Sequence, residues 1–209
     1  MAAKTTFLAI TGILILVLAA LPAAAQSPGP GDPPVLGIRI SAGGRYDDVR
    51  MCVASPPGTK GGPAVDVSFY LEAGLSDGLS LTVDIPVLRP ILFWAAFDML
   101  QFEPEAALLF RGTTGGRTDW VAGPSLGMIF HYGPDYASDS SGAGRGPSFF
   151  AMGPKIGGYF GLDFKRPGER FNVQLGLSPY VSPLWGIGDP EDHRGVVAGA
   201  TLDGVFRFH

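Results

Sequence analysis

The 209-residue chain has one cysteine, few charges and no basic excess. A single cysteine excludes a disulfide framework and any multi-cysteine metal site. Fifteen basic and 19 acidic side chains make only 16% of the residues charged, against about a quarter in an average soluble domain. A formal net charge of −4 leaves no surplus of cations to displace counterions from a phosphate backbone, so nucleic acid is not an expected partner. Past the N-terminal segment no stretch holds about eighteen uninterrupted apolar residues, which excludes a spanning helix there. What the chain does have is 31 glycines and 19 prolines in a composition that is 46% apolar. So many helix breakers exclude a helical bundle, and so much apolar content excludes a disordered chain.

The N-terminus reads as an export address. Lys4 is the only charge before Asp32, and Phe7 to Ala20 is an apolar run followed by Leu21-Pro22-Ala23-Ala24-Ala25. A basic start, an apolar stretch and a small-x-small site form a secretory signal peptide. The expected division is a signal peptide over 1–25, a Pro/Gly linker over 26–34 and one folded domain over 35–209.

Within that domain the dominant period is two. Val65, Val67, Phe69, Leu71 and Ala73 alternate with Asp66, Ser68, Tyr70 and Glu72. Leu79, Leu81, Val83 and Ile85 alternate with Ser80, Thr82 and Asp84 in the same way. Successive strand side chains point to opposite faces, so this is a strand signature. The pattern predicts eight strands, near 35–46, 64–75, 79–88, 99–111, 118–132, 148–165, 170–184 and 195–208. Several exceed the roughly 5–6 residues usual in soluble sheets and match the roughly 9–11 that a tilted strand needs to cross a bilayer. Long connections (47–63, 89–98, 133–147, 185–194) alternate with tight ones (76–78, 112–117, 166–169), the loop-and-turn asymmetry of outer-membrane barrels. The predicted fold is all-β, an antiparallel up-and-down transmembrane barrel.

Charge placement separates that barrel from a soluble sandwich. By parity the acids of the polar face are Asp66, Glu72, Asp84, Glu103, Glu105, Asp163 and Asp203. The bases are Arg39, Arg45, Arg111, Lys155, Lys165, Arg170 and Arg207. The apolar face of the strands carries no charge, as a lipid-facing surface requires. Eight strands enclose a space that side chains can fill, and desolvated charges there must pair. The expectation is a lumen closed by salt bridges, with Glu103 and Glu105 as partners of arginines rather than as catalytic carboxylates.

Two local segments and the C-terminus carry a family resemblance. Glu72-Ala73-Gly74-Leu75-Ser76-Asp77-Gly78-Leu79-Ser80-Leu81, running on to Ile85-Pro86, looks like a periplasmic hairpin of outer-membrane barrels. Gly-Pro-x-aliphatic-Gly occurs twice, at Gly123–Gly127 and Gly153–Gly157. The last strand ends Val205-Phe206-Arg207-Phe208-His209, with Phe206 and Phe208 similar to the signal read by the barrel-assembly machinery. The chain thus resembles the small eight-stranded OmpA/OmpX-like barrels of Gram-negative bacteria. That resemblance implies a monomer in the outer membrane, partnered by outer-membrane lipid and lipopolysaccharide, by the barrel-assembly machinery and by periplasmic chaperones. It implies no cofactor and no catalytic residues. The expected role is structural or adhesive, through the outer loops. A narrow conduit or binder for small apolar molecules with sideways access, and a lipid A-modifying enzyme, are the alternatives.

Some residues sit awkwardly in this reading. Pro86, Pro104, Pro124, Pro154 and Pro179 fall inside predicted strands, where a closed barrel has no edge to receive them. Bulges and rim positions are the simple account; a weakened seam giving lipids sideways entry is the other. The apolar segment Arg89–Asp98 predicts strand ends resting in lipid headgroups, with a ligand-gripping lid as the alternative. His131, Asp135 and Ser138 resemble an acyl-transfer set only in composition. Asp189, Glu191, Asp192 and His193 read as solvated loop charge, and Cys52 has no assigned role.

Overall fold

The structure, a computed structural model, describes residues 29–47, 60–113, 118–134, 148–164, 171–187 and 194–208. The signal segment, most of the linker, Cys52, Asp135, Ser138, Lys165, Arg170, the acidic loop at 189–193 and His209 lie outside the described residues. The elements are β1 (Val35–Asp47), β2 (Gly62–Ser76), β3 (Leu79–Pro86), α1 (Leu88–Phe97), β4 (Leu100–Phe102), β5 (Glu105–Thr113), β6 (Thr118–Pro134), β7 (Ser148–Phe164), β8 (Phe171–Gly186) and β9 (Arg194–Phe208).

The predicted fourth strand is broken in two. β4 and β5 lie in one register along β6, with Leu100 opposite Tyr132 and Glu105 opposite Gly127. Between them the Met128 amide still donates to the Pro104 carbonyl at 3.1 Å, but Pro104 has no N–H to return. The wall therefore has eight staves, the fourth made of β4 and β5, and it closes where β1 pairs with β9. All pairings are antiparallel.

A walk round the ring measures its stagger. Val35 pairs with Glu72, then Thr82, Ala107, Ser125, Gly157, Tyr180, Gly199 and finally Arg45. The path returns to β1 ten residues beyond its start, from 35 to 45. With strands about 4.8 Å apart and a rise of about 3.4 Å per residue, that shear over eight strands tilts them about 40°. The start of β1, Val35, and the end of β9, Phe208, lie at one end of the barrel, here the terminus end. The long connections lie at the other, the loop end.

Side chains alternate as the period of two requires. Outward positions are apolar and exposed, Leu126 at 64% and Leu202 at 69% among them. Inward positions hold the charges, together with apolar residues that the parity count passes over. Ile129, Phe149, Ala151, Tyr180, Leu184 and Val197 fill the loop end; Ala107, Leu109, Val121 and Tyr159 fill a lower level. Gly176 makes room for Tyr159, since a Cβ there would come within 2.3 Å of its ring.

Pro124, Pro154 and Pro179 do not shift the register. The β5–β6 pairing skips the rungs facing Gly123 and Pro124, then resumes with residue numbers in step. The β7–β8 pairing skips Gly153 to Lys155 and later Gly158 to Tyr159, beside Pro154, Pro183 and Pro179, again without a shift. A bulge would put two residues opposite one. These prolines remove rungs and leave the register intact. The one register shift in the β2–β3 hairpin is at Gly74/Ser76.

The segment after β3 departs from its prediction. The strand stops at Pro86 rather than 88, and residues 88–97 form a helix, not strand ends. It ends at Asp98, whose φ of 54° is left-handed. Arg89 is the only charge in α1 and its only buried residue.

Candidate functional site

The inward charges form three levels. At the terminus end Glu72 from β2, Arg111 from β5, Asp163 from β7 and Arg207 from β9 make a closed ring of alternating sign. Arg111 Nη1 donates to Glu72 Oε1, and its Nε lies 3.5 Å from Asp163. Arg207 Nη2 donates to both Asp163 oxygens at 2.5 Å, and Nη1 reaches Glu72 Oε2 at 3.3 Å. Each carboxylate meets both guanidinium groups, so every charge has two partners of opposite sign. The Tyr70 hydroxyl donates to Glu72 at 2.9 Å, and Arg111 also donates to Ser80 at 2.8 Å. Arg207, Glu72 and Asp163 are fully buried. Such burial is tolerable because each charge is hydrogen-bonded to partners of opposite sign.

At mid-barrel Arg39 of β1 spans to Asp84 of β3 at 2.7 Å and to Asp203 of β9 at 2.8 Å. Ser178 accepts from Arg39 at 2.6 Å and donates to Asp203 at 2.5 Å. Lys155 pairs with Glu105 at 2.6 Å and lies 4.6 Å from the Tyr180 ring centre. At the loop end Glu103 accepts from Arg45 at 2.8 Å and from Arg89 at 2.7 Å, both on Oε1. Arg89 Nε also lies 3.6 Å from Asp66. Arg39–Asp84, Lys155–Glu105 and Arg45–Glu103 each skip at least one stave and are struts across the lumen.

Of the residues singled out by parity, Arg39, Asp66, Glu72, Asp84, Glu103, Glu105, Arg111, Lys155, Asp163, Asp203 and Arg207 all turn inward. Phe206 and Phe208 face outward beside β1, opposite Ile38 and Leu36. The count of seven acids against seven bases changes. Asp47, Asp119 and Arg89 are buried inward as well, and Lys165 and Arg170 are outside the described residues. Among the described residues nine acids face six bases: Asp47, Asp66, Glu72, Asp84, Glu103, Glu105, Asp119, Asp163 and Asp203 against Arg39, Arg45, Arg89, Arg111, Lys155 and Arg207. Arg89 lies in the segment whose apolar residues predict strand ends in the lipid headgroups; the signal that could have placed it inward is its position at the head of the otherwise apolar run Pro90–Phe97.

His131 does not stand at an exposed rim. It is buried inside the loop end, its ring 4.9 Å from that of Phe149. The charge network leaves a cavity of about 50 Å³ in the upper lumen, bordered by Asp66, Pro86, Arg89, Glu103, Lys155 and Tyr180 among others.

No family model matches this sequence, and no curated protein matches it either. Among solved structures the chain is similar to the crystal structure of Neisserial surface protein A (NspA), with a TM-score of 0.53 at 11% identity, over 84% of this chain and 96% of that one. At that identity the likeness speaks to the fold alone, and it agrees with the ring of hydrogen-bonded strands: this is an antiparallel eight-stranded β-barrel.

Proposed function

We propose that this protein is a barrel of the outer membrane, exported by a signal peptide cleaved after Ala25, whose salt-bridged lumen serves as a rigid support for loops that act at the cell surface. The observation that carries the reading is the sorting of charge between the two faces. Between the rims the outward face of the described strands bears no charge, Arg194 standing at the loop-end tip of β9. The charges lie inside instead, where Arg39, Arg45, Arg89, Arg111, Lys155 and Arg207 are all paired with carboxylates. Only a closed barrel satisfies every strand N–H and C=O in lipid without a helix, and lipid rather than water suits so apolar an exterior. On this reading the partners are membrane lipid and lipopolysaccharide outside, and the barrel-assembly machinery during insertion, with Phe206 and Phe208 in the strand it reads. The role is mechanical and adhesive rather than catalytic.

The test is reconstitution of the mature chain, starting at Gln26, into vesicles and planar bilayers. The expected result is stable integration, with no large steady current, because the struts block the lumen. A large steady conductance would overturn the filled-lumen reading. Recovery of intact Met1-containing protein in the inner membrane would overturn the proposed export.

A further inference from the structure

We propose that the wall between β2 and β4 is a lateral portal, closed by α1 with Arg89 as its latch, which admits the head of a lipid bearing both a phosphate and a primary amine. The proposal rests on the membrane-barrel reading above and deepens it.

The wall is interrupted there. β3 ends at Pro86, opposite Ser68, so the part of β2 from Gly62 to Val67 pairs with β1 and with no strand on its other side. β4 pairs with β6 alone. What joins the two edges is α1 and the residue before it. The Val87 amide donates to the Val67 carbonyl at 2.9 Å. The Arg89 amide donates to Asp66 at 3.1 Å, its Nε to the Val65 carbonyl at 3.4 Å, and its Nη1 to Glu103 at 2.7 Å. One side chain thus links β2 to the segment between β4 and β5. The rest of α1 is apolar, with Leu88, Leu92 and Trp94 exposed on the outside of the barrel.

The edge is prepared to stand without a partner strand. Val65, Val67 and Pro63 share a parity, so their backbone polar groups point to the same side. Pro63 has no N–H there to leave unpaired, and the Val67 amide is held by the Asp66 carboxylate at 2.8 Å. Releasing Arg89 leaves neither of its carboxylates without a hydrogen bond. Glu103 keeps Arg45 on the same oxygen, and Asp66 keeps the Val67 amide. A buried ion pair without such a provision is costly to break.

The ligand class follows from what release does to charge. Asp66, Asp84, Glu103 and Glu105 border the cavity behind the latch, with Arg39, Arg89 and Lys155. Once Arg89 swings outward, these four carboxylates keep only Arg39, Lys155 and the Arg45 on Glu103, and Asp66 has no cation left. The entering group must bring positive charge and hydrogen-bond donors to Asp66 and Glu103. It must also bring an anion to the displaced guanidinium, which binds phosphate through paired N–H donors. A phosphate ester of a primary amine meets both needs. A quaternary amine lacks the donors, and an anionic head lacks the cation. The small cavity takes the amine end, and the acyl chains stay outside along α1.

The test uses the full chain with Cys52→Ser and Ser68→Cys, which puts one thiol on a buried inward residue bordering the cavity. Its reaction rate is read with a long-chain maleimide dissolved in the bilayer and with a charged, water-soluble thiosulfonate. Vesicles are phosphatidylcholine alone, or with phosphatidylethanolamine or phosphatidylglycerol added. Phosphatidylethanolamine should speed the bilayer reagent several-fold, and phosphatidylglycerol should not. Arg89→Leu should raise the bilayer-reagent rate in phosphatidylcholine by about tenfold and abolish the ethanolamine effect, with Arg89→Lys intermediate. Equal acceleration by both added lipids overturns the ligand class. An unchanged rate in Arg89→Leu, or an equal rise for both reagents, overturns the portal. A Leu81→Cys control in the same Cys52→Ser background, at an outward site, must react with the bilayer reagent in any case; if it does not, the membrane-barrel reading has failed instead.

Discussion

The two ends of this barrel hold their walls together differently. At the terminus end the hydrogen-bonded ladder runs round all eight staves, and the ring of Glu72, Arg111, Asp163 and Arg207 ties four alternate staves together from inside. At the loop end the wall between β2 and β4 has no ladder, and a helix with one charged side chain stands in for it. The first arrangement shares each charge between two partners, so a member that leaves makes both of them compete for the one remaining counter-charge. The second doubles up only on the anion: Glu103 has both Arg45 and Arg89, so Arg89 is the replaceable one. A barrel can therefore be rigid where it needs to be and local in its weakness.

That contrast is open to breaking by substitution. The largest effect is expected from Glu72→Leu, which leaves two buried arginines competing for Asp163 and should cost about 3–5 kcal/mol. Denaturant titration of the folded barrel, read by gel mobility, would measure it; a loss no greater than that of Arg89→Leu would erase the difference between the ends. Leu81→Arg places a charge on the outward face of β3 and should cost about 2–4 kcal/mol in vesicles. A stability unchanged there would mean that this face does not meet lipid.

Arg89→Leu should cost less, about 1–2 kcal/mol, because it loses hydrogen bonds while Glu103 keeps Arg45. The smallest effect is a gain. Pro104→Ala restores one donor toward β6 and should stabilise by under about 1 kcal/mol, since a net hydrogen bond is worth about that and the added chain freedom offsets part of it. A loss on that substitution would show that the break between β4 and β5 is needed for Glu103 to reach its two arginines.

Much of this was legible in the residues. Strand parity was plain because a one-residue slip would move Asp84 or Glu105 to the outward face, so the sequence specifies register strongly. The partners of each charge were not legible. They depend on the ten-residue shear, which is a property of the closed ring and not of any strand: nothing local to Arg207 says that it meets Glu72, 135 residues away. The helix was hidden for another reason. A helix signals itself by a polar stripe facing water, and α1 has only Arg89, facing inward. Asp47 and Asp119 were missed because they sit at strand ends, where boundaries are read least well.

The most direct test of the difference between the ends is peptide-resolved amide exchange on the full-length barrel folded in vesicles. Within residues 62–113 the account predicts fast exchange at 62–67 and 87–104, and strong protection of 68–76 and 105–113, the continuations of the same staves toward the terminus end. Uniform protection along β2, with 62–67 as slow as 68–76, would contradict it.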